Sequence, residues 1–396
     1  MQQNNRRTIQ FLIIILVILI TVSLTLDWDR QEFSTPSSTP ELTAVSPASE
    51  SDPPSATPAQ PLEIQLAWFY KPPGEDLLHI LPQNFDFFIL THKDEEQRDQ
   101  LRRLGVTAPI IQYLLLTEIR DPGNCTESPR GNQVAFHAGD FCMIEAEHPD
   151  WFLLDERGRR IGGGEVHWMD PGNPGFREFW LNRARELQEQ YGWNGIFLDN
   201  ANASLGKFRS LNRLPQKYKS DEEYQAAVKG FLEYLRANYF LPSGRKMYAN
   251  IATVNDHEVW HEYLDALDGV MVENFAAGWQ GRHKSRAEWE EQMNALEEAH
   301  SRGKTTILVS QGAQDDIERQ EFSFASYLLI ANHLSFFRYA RGDSYDQIWL
   351  YEDYSLDLGP PLSPRYREGR TWRRDFLYGY VIVNPGTLDA EIVVTR

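Results

Sequence analysis

Two short apolar runs in this chain end abruptly in a carboxylate. The first run is Gly195–Asn200, with the letters GIFLDN, and the second is Gly269–Asn274, with the letters GVMVEN. The second run begins about 74 residues after the first, a spacing typical of two βα units. The sequence therefore predicts that Asp199 and Glu273 stand at the carboxyl ends of two buried strands.

Two carboxylates at such positions could cleave a glycosidic bond. In a barrel of parallel strands, side chains at the carboxyl ends of the strands point into one shared pocket. One carboxyl group then protonates the leaving oxygen, while the other attacks the anomeric carbon or activates water. We expect the shorter Asp199 to be the nucleophile or base and Glu273 to be the general acid. The alternative is a structural role, in which each acid caps the following helix or forms an ion pair.

Other predicted strand ends, and the loops after them, carry amides, guanidinium groups and aromatic rings. Amides and guanidinium groups hydrogen-bond to sugar hydroxyls, and aromatic faces stack on the apolar face of a pyranose. The predicted substrate-binding residues are Trp68, Tyr70, Tyr113, Asp170, Asn200, Asn250, Asn274, Trp279, Gln311 and Arg338, with Glu118, Trp168 and Tyr339 in similar positions. Together these residues favour a carbohydrate groove, although each one alone also fits a packing role.

The segment His257–His261 is a rival motif, because its letters HEVWH match the H-E-x-x-H helix of zinc metalloproteases. With Asn255 or Asp256 as the N-cap, a helix here would place both histidines on one face. However, Glu262 puts a charge directly after the second histidine, where the zinc helix is normally buried, and no third histidine follows at the metzincin spacing. The segment also fits the fifth helix of a barrel, which is the interpretation we favour.

Strand-like runs alternate with amphipathic stretches along the chain, as expected for parallel strands joined by helical crossovers. The runs are Ile64–Tyr70, Phe85–Thr91, Pro109–Leu116, Gly195–Asp199, Lys246–Thr253, Gly269–Phe275, Thr305–Gly312 and Leu334–Tyr339. The stretches between them include Glu95–Leu104, Arg177–Tyr191, Asp221–Tyr239, Arg286–Arg302 and Phe322–Asn332. Eight runs predict an α/β fold, a (β/α)8 TIM barrel, over residues 62–375.

Two segments depart from this alternation. Thr117–Pro174 is an unusually long connection between the third and fourth runs, and loops of this length are usually functional. Phe376–Val394 has the pattern of a β-hairpin that turns at Asn384-Pro385-Gly386. We therefore expect a C-terminal β extension over residues 376–396.

The N-terminal part of the chain does not resemble the barrel. Phe11–Leu26 is uncharged and apolar, close to the lower length limit of a spanning helix, and Arg6 and Arg7 precede it. Residues 1–28 are therefore predicted to be a membrane anchor that leaves the domain outside the cytoplasm, and a cleaved signal peptide, giving a secreted protein, is the alternative. Residues 29–61 are rich in Ser, Thr and Pro, which predicts a disordered linker that acts as a stalk or has no role.

The net charge of the chain excludes some classes of partner. The net charge of −18 argues against nucleic acid and against peripheral binding to anionic lipid, because both demand a basic surface.

Cys125 and Cys142 are the two cysteines of the chain. In an oxidising compartment they could form a disulfide that closes a local loop, and two free thiols are the alternative.

Four stretches of the sequence resemble a known family. They are HPDWFLLDERGRRI, WMDPGNPGFREFW, GWNGIFLDN and YGYVIVNPG, which occur in this order and look like the hypothetical glycosyl hydrolases of bacteria labelled family 15-like. These proteins are similar in turn to the endo-α-1,4-polygalactosaminidase group of TIM barrels. Over Ile64–Val394 the resemblance implies a (β/α)8 fold and a glycosidase site at Asp199, with Glu273 as the second acid.

The sequence thus predicts a membrane-tethered glycoside hydrolase that acts on a polysaccharide or oligosaccharide outside the cytoplasm. Its predicted chemistry uses two carboxylates and needs no metal or other cofactor. An alternative of a different class is a barrel that binds glycan without cleaving it, as a surface recognition module. Both functions need an aromatic-lined groove, but only the hydrolase needs two carboxylates at catalytic separation.

Overall fold

The computed structural model of the protein describes residues 62–252, 257–279 and 282–395, and for His257 its backbone only. The predictions for the N-terminal anchor and for the linker concern residues outside these ranges. Within them, no helix combines the length and the apolar character that crossing a membrane would require.

The described residues form fifteen strands and nine α-helices. The strands are β1 (Ala67–Tyr70), β2 (Phe87–Thr91), β3 (Ile110–Leu115), β4 (Glu118–Arg120), β5 (Gly162–Gly163), β6 (Val166–Trp168), β7 (Gly195–Asn202), β8 (Lys246–Ala252), β9 (Gly269–Val272), β10 (Thr305–Gln311), β11 (Ser335–Ala340), β12 (Tyr366–Glu368), β13 (Thr371–Phe376), β14 (Gly379–Asn384) and β15 (Asp389–Val394). The helices are α1 (Leu81–Asn84), α2 (Glu95–Arg103), α3 (Asp140–Glu147), α4 (Pro174–Gln190), α5 (Gly206–Ser210), α6 (Asp221–Leu235), α7 (His257–Asp265), α8 (Arg286–Ser301) and α9 (Ile317–Ile330).

Eight parallel strands form the barrel in the order β1-β2-β3-β7-β8-β9-β10-β11. A parallel bridge between Leu66 and Phe337 joins the first strand to the last, and the Phe337 N–H donates to the carbonyl oxygen of Gln65. The predicted (β/α)8 barrel is therefore confirmed. All eight strands run in one direction, so their carboxyl ends meet at one face.

Glycine begins both strands that carry the predicted catalytic acids. A Cβ atom on Gly195 would lie 2.6 Å from the Lys246 carbonyl oxygen, and one on Gly269 would lie 2.3 Å from that of Thr305. Such contacts are too close for any side chain, so glycine lets the neighbouring strand pair at these positions. The glycines of the two apolar runs thus have a structural explanation.

Side chains of the barrel strands alternate between two apolar cores. The inner core fills the barrel with residues that include Phe197, Tyr248 and Met271. The outer core lies between strands and helices and takes the alternate positions, such as Leu198 and Val270. Because side chains alternate along a strand, the inward position after Phe197 is Asp199, and the one after Met271 is Glu273.

Local signals fix the helices around the barrel. The side-chain oxygen of Asn173 accepts hydrogen bonds from the N–H groups of Gly175 and Phe176 at the start of α4, and Pro174 occupies its first position. Ser285 and Glu288 form a capping box at the start of α8. These caps satisfy N–H groups that a helix leaves unpaired at its first turn.

The long connection between β3 and β7 is an ordered insertion. It contains a three-stranded sheet in the order β4-β6-β5 and helix α3. A disulfide with an S–S distance of 1.98 Å joins Cys125 to Cys142. The insertion begins at the carboxyl end of β3, which places it at the same face of the barrel as the predicted site.

The C-terminal extension is larger than the predicted hairpin. Strands β12 to β15 form a four-stranded antiparallel sheet that starts at Tyr366, within the predicted barrel segment. The turn at Asn384-Pro385-Gly386 joins β14 to β15, as the sequence indicated. Strand β13 has the letters TWRRDF, and its two arginines obscured the alternation that would have revealed the additional strands.

Candidate active site

Asp199 and Glu273 lie at the carboxyl ends of β7 and β9, two barrel strands that are separated by β8. Asp199 lies within β7, opposite Leu115 of β3, and Glu273 directly follows β9. Both residues are half-buried, so part of each remains exposed to solvent. Next to Asp199, Asn200 has a left-handed backbone with φ of 59°, and the pairing of β7 with β8 shifts between Leu198 and Ala201. Backbone strain of this kind concentrates at functional sites.

One amide group connects the two carboxylates. Asn250 Nδ2 lies 3.3 Å from Asp199 Oδ1 and 2.8 Å from Glu273 Oε2. Because both oxygens lie within hydrogen-bonding distance of one nitrogen, they are about 6 Å apart at most. Catalytic carboxyl groups are about 5–5.5 Å apart in retaining glycosidases and about 6.5–9.5 Å apart in inverting ones. The upper limit of about 6 Å on this oxygen–oxygen distance lies nearer to the retaining separation than to most of the inverting range.

Hydrogen-bond donors surround the Asp199 carboxylate. The hydroxyl of Tyr113 donates to Oδ2 at 2.5 Å, and the backbone N–H of Asn200 donates to Oδ1 at 2.9 Å. The pKa of Asp199 is raised above its ordinary value, because burial and then the nearby charge of Glu118 outweigh the lowering effect of the bond from Tyr113. Three donors, counting Asn250, oppose the effect of burial by stabilising the anionic form of this carboxylate.

The Glu273 carboxyl group is the more strongly perturbed acid. Burial, followed by repulsion from the charge of Asp199, raises its pKa from 4.5 to about 7. Tyr70 donates a hydrogen bond to Oε1 at 3.1 Å and Asn250 donates to Oε2, and both bonds oppose the rise. When two acids share one pocket, the proton resides on the acid with the higher pKa. Glu273 is therefore suited to donate a proton, and Asp199 is suited to remain charged.

The phenols of the site act as neutral donors. Burial, and then the charges of Glu273 and Asp199, raise the pKa of Tyr70 well above its ordinary value, and burial and Asp199 do the same for Tyr113. Their rings pack edge to face with centroids 5.0 Å apart. Tyr70 reaches the pocket with a left-handed backbone, at φ of 73°. Such a conformation is rare for a bulky residue, so the fold holds this phenol in place at a cost.

Tyr345 is a site residue that the sequence analysis did not identify. Its ring packs against Tyr70 at 5.2 Å, and its pKa is raised by burial first and then by the charge of Glu273. Gln311 Nε2 lies 3.3 Å from the Tyr345 hydroxyl and 3.5 Å from the carbonyl oxygen of Glu273. Tyr345 follows the eighth barrel strand by a few residues, so its distance from the strand end hid it.

An ion pair flanks the Asp199 side of the site. Glu118 Oε1 accepts hydrogen bonds from Asn200 Nδ2 at 3.3 Å and from Lys207 Nζ at 3.0 Å. The Lys207 ammonium also lies 5.0 Å from the ring centre of Trp168. The insertion, which contributes Glu118 and Trp168, thereby contacts the residue next to Asp199. Lys207 carried no sequence signal, because a lysine in a polar connection is usually solvated.

Two predicted sugar contacts are buried instead in the wall of the barrel. Trp68 is fully buried in the outer core, with its Nε1 donating to the carbonyl oxygen of Lys71. Arg338 lies with its guanidinium 4.2 Å from the Trp68 ring centre and donates to the carbonyl oxygens of Phe69 and Tyr345. The structure thus places both residues behind the pocket, where they support the segments that carry Tyr70 and Tyr345.

Asp170 and Asn274 also bind other parts of the protein. Asp170 is buried and accepts hydrogen bonds from Tyr218, Lys217 and the N–H of Gly172. These bonds explain the Asp-Pro-Gly letters as a turn at the start of α4. The side-chain oxygen of Asn274 accepts from Gln292 Nε2 on α8 at 3.2 Å. Trp279 is half-buried in the segment that follows Glu273, at the carboxyl face of the barrel.

The H-E-x-x-H segment forms α7, the fifth helix in the barrel alternation. His261 Nε2 lies 3.0 Å from Glu298 Oε2 of α8, so this histidine faces the neighbouring helix. The side chain of His257 lies outside the described part of the structure. Among the described residues, no three His, Cys, Asp or Glu side chains converge as a metal site would require.

A cavity of about 450 Å³ lies away from these residues. It is lined by Glu297 and His300 near the end of α8, by Ile330 of α9 and by Arg374 of β13. Helices of a (β/α)8 barrel end at the face opposite the carboxyl ends of the strands. The cavity contains no predicted site residue, and we assign the chemistry to the carboxylate pair instead.

The sequence of the chain matches a model of one protein family. The family is described as hypothetical glycosyl hydrolase family 15, and the match covers residues 110–380, which include Asp199, Glu273 and Asn250. No curated protein matches the chain.

Solved structures of glycoside hydrolases are similar to this chain. The glycoside hydrolase domain of PelA from Pseudomonas aeruginosa is 18% identical, with 73% of this chain and 98% of that chain covered and a TM-score of 0.49. The maltogenic alpha-amylase AmyB from Thermotoga neapolitana is 13% identical, with 81% and 85% covered and a TM-score of 0.48.

Proposed function

The chain belongs to hypothetical glycosyl hydrolase family 15, and from that premise we propose that it is a retaining glycoside hydrolase whose nucleophile is Asp199 and whose acid/base is Glu273. The observation that carries this proposal is the position of Asn250, whose one nitrogen lies within hydrogen-bonding distance of both carboxylates. A spacing this short favours direct attack by Asp199, because inversion requires room for a water molecule between the base carboxylate and the anomeric carbon.

In the first step, protonated Glu273 donates its proton to the glycosidic oxygen while an oxygen of Asp199 attacks the anomeric carbon. The bond from that carbon to the leaving oxygen breaks, and a glycosyl ester on Asp199 forms. The raised pKa of Glu273 supports its role as the donor, since the group then holds a proton near neutral pH. The donors around Asp199 support its role as the charged nucleophile.

In the second step, Glu273, now a carboxylate, takes a proton from water, and the oxygen of that water attacks the anomeric carbon. The ester bond to Asp199 breaks, and the sugar leaves with the configuration it had in the substrate. Asn250 contacts both acids throughout, so it can stabilise the charge on whichever carboxylate is ionised. Tyr70 and Tyr113 add one neutral donor to each acid.

The proposed substrate is a polysaccharide or oligosaccharide. The half-buried rings of Tyr70, Tyr113 and Tyr345 border the carboxylates and offer surface for the apolar face of a sugar ring. Asn200 and Gln311 supply amide groups nearby. The proposed location of the domain is outside the cytoplasm, tethered by the N-terminal segment. The disulfide between Cys125 and Cys142 supports this location, because such bonds persist in oxidising compartments.

The test is to incubate the purified full chain, in detergent, with a panel of polysaccharides and oligosaccharides. Products are identified by mass spectrometry, and the anomeric configuration of the first product is followed by NMR. We expect hydrolysis of at least one glycan with retention of configuration. An inverted first product would contradict the roles assigned to the two acids. Glycan binding with no product would instead support a recognition module.

A further inference from the structure

Arg319 is a buried arginine whose guanidinium contacts the backbone next to the proposed acid/base. Its Nη2 lies 3.2 Å from the carbonyl oxygen of Ala277, 2.8 Å from that of Gly278 and 3.1 Å from that of Trp279. Three consecutive carbonyl groups therefore point at one nitrogen atom. Arg319 itself is only 6% exposed, so these contacts are shielded from water.

The same guanidinium also contacts the end of β10, the barrel strand next to β9. Arg319 Nε donates to the carbonyl oxygen of Gln311 at 2.7 Å, at the end of β10. The side chain of Gln311 in turn contacts Tyr345 and the backbone of Glu273. One side chain on α9 thus joins two barrel connections that border the carboxylates.

Residues 274–279, which we name the post-β9 segment, have a second attachment on α8. Gln292 Oε1 accepts from the N–H of Ala276 at 2.9 Å, and Gln292 Nε2 donates to Asn274 Oδ1 at 3.2 Å. Ala276 has a left-handed backbone, with φ of 53°. A residue other than glycine keeps such a conformation only where surrounding contacts hold it.

Convergent carbonyl groups repel one another unless a cation or donor lies between them. The planar guanidinium of arginine satisfies several acceptors at once, which the single ammonium of lysine cannot match. Removing the arginine would take this donor from the buried carbonyl groups of Ala277 and Gly278, whereas that of Trp279 also accepts from the N–H of Arg282 at 2.9 Å. The segment would then have to rearrange to satisfy the two buried groups. The shape of the post-β9 segment therefore depends on Arg319.

We infer that Arg319 is a positioning residue, which holds the post-β9 segment and Trp279 as one wall of the glycan cleft beside Glu273. This inference rests on the proposed function and extends it, because it assigns binding of sugar units away from the cleaved bond to this segment. Trp279 is half-buried at the carboxyl face of the barrel, where its ring can contact a sugar.

Arg374 provides a matched control at the opposite end of the barrel. It is also buried, and its guanidinium donates to the carbonyl oxygens of Leu328 and Ala331 near the end of α9. Arg319→Met and Arg374→Met each remove a buried guanidinium from backbone carbonyls, so both should lower thermal stability. Only the first should alter the post-β9 segment. Arg319→Lys is a milder second variant, for use if Arg319→Met does not fold.

Two readouts on the full chain test the inference. Hydrogen exchange of the amides of residues 275–279 should be at least about 10-fold faster in the Arg319 variant than in the unaltered protein, and unchanged in Arg374→Met. For the glycan found in the panel, KM should rise about 10-fold or more in the Arg319 variant, with kcat within about threefold.

Unchanged exchange in the Arg319 variant would overturn the inference, as would faster exchange with unchanged KM. Equal effects of the Arg319 and Arg374 variants on both readouts would also overturn it, since they would indicate a general loss of stability. Failure of the unaltered protein to cleave any glycan would contradict the proposed function, and the affinity for a bound glycan would then replace KM in the same comparison.

Discussion

The hydroxyl of Tyr113 donates a hydrogen bond of 2.5 Å to Asp199 Oδ2. The two residues come from β3 and β7, which are adjacent strands of the barrel although the long insertion separates them in sequence. This bond lowers the pKa of Asp199, against the effect of burial. It therefore favours the ionised form of the proposed nucleophile.

Tyr113→Phe should consequently impair the enzyme most at low pH. Without the bond, the pKa of Asp199 rises, so the acidic limb of the plot of kcat/KM against pH should move to higher pH. Loss of a hydrogen bond to a charged group predicts a fall in kcat/KM of about 10- to 100-fold. Tyr366→Phe is the control, because its phenol also donates to a carboxylate, that of Asp375, on the C-terminal sheet. An acidic limb that stays in place would contradict the role of Tyr113.

The pH dependence of the unaltered enzyme should report the proton on Glu273. The first step requires that Glu273 be protonated, and its pKa is raised to about 7. Activity should therefore be lost as pH rises through about 7, and the basic limb should be absent from the residual activity of Glu273→Gln. Rates measured from acidic to alkaline pH check this expectation. A rate that does not fall above neutral pH would contradict the role of Glu273 as the acid.

Glu273 should also make the folded protein less stable at alkaline pH. Its pKa is about 7 when folded and 4.5 ordinarily, so the folded state binds the proton more tightly between these values. The contribution to stability is therefore fully present below about pH 4.5 and is lost as pH rises through about 7.

Glu273→Gln removes this pH-dependent contribution to the stability of the folded protein. The difference in Tm between this variant and the unaltered protein should grow in favour of the variant from about pH 5 to about pH 8. Glu391→Gln, which changes an exposed residue of β15, should show no such trend. Differential scanning calorimetry at the two pH values provides the comparison. A difference in Tm that is the same at both pH values would contradict a raised pKa of Glu273 in the folded protein.

The disulfide should stabilise the insertion that borders the site. Cys125 and Cys142 are 17 residues apart, and closing a loop of this size contributes about 3 kcal/mol. The double substitution Cys125→Ser, Cys142→Ser should lower the free energy of unfolding by about that amount, measured by urea denaturation. Addition of a thiol reductant to the unaltered protein should reproduce the effect and leave the double variant unchanged. An unaltered denaturation midpoint would contradict a structural role for the bond.

The barrel and the position of its acids could be predicted because local patterns determine them. Apolar runs mark strands buried on both faces, and alternation continues from Phe197 to Asp199 and from Met271 to Glu273. The same alternation connects Tyr248 with Asn250, which the structure places between the two acids. The alternation of side chains along each strand therefore predicts which residues at the strand ends point into the barrel.

Other site residues were not predictable because their backbones leave the strand pattern. Alternation alone would orient Trp68 and Tyr70 alike, but the left-handed backbone of Tyr70 turns its phenol into the pocket, while Trp68 stays in the outer core. Tyr345 lies in a connection without regular structure, and Lys207 lies in α5, a helix of only five residues, so tertiary packing determines where each side chain points. Arg319 had no signal either, since its partners are backbone carbonyl groups, which look alike in every sequence.

The most direct test of the account is the rate of glycan hydrolysis by Asp199→Asn and Glu273→Gln, measured beside Glu391→Gln. Each of the first two variants should lose about 10²- to 10⁴-fold or more in kcat while remaining folded and able to bind the glycan, and the third should match the unaltered protein. Hydrolysis at an undiminished rate by either of the first two variants would contradict the claim that Asp199 and Glu273 together cleave the bond.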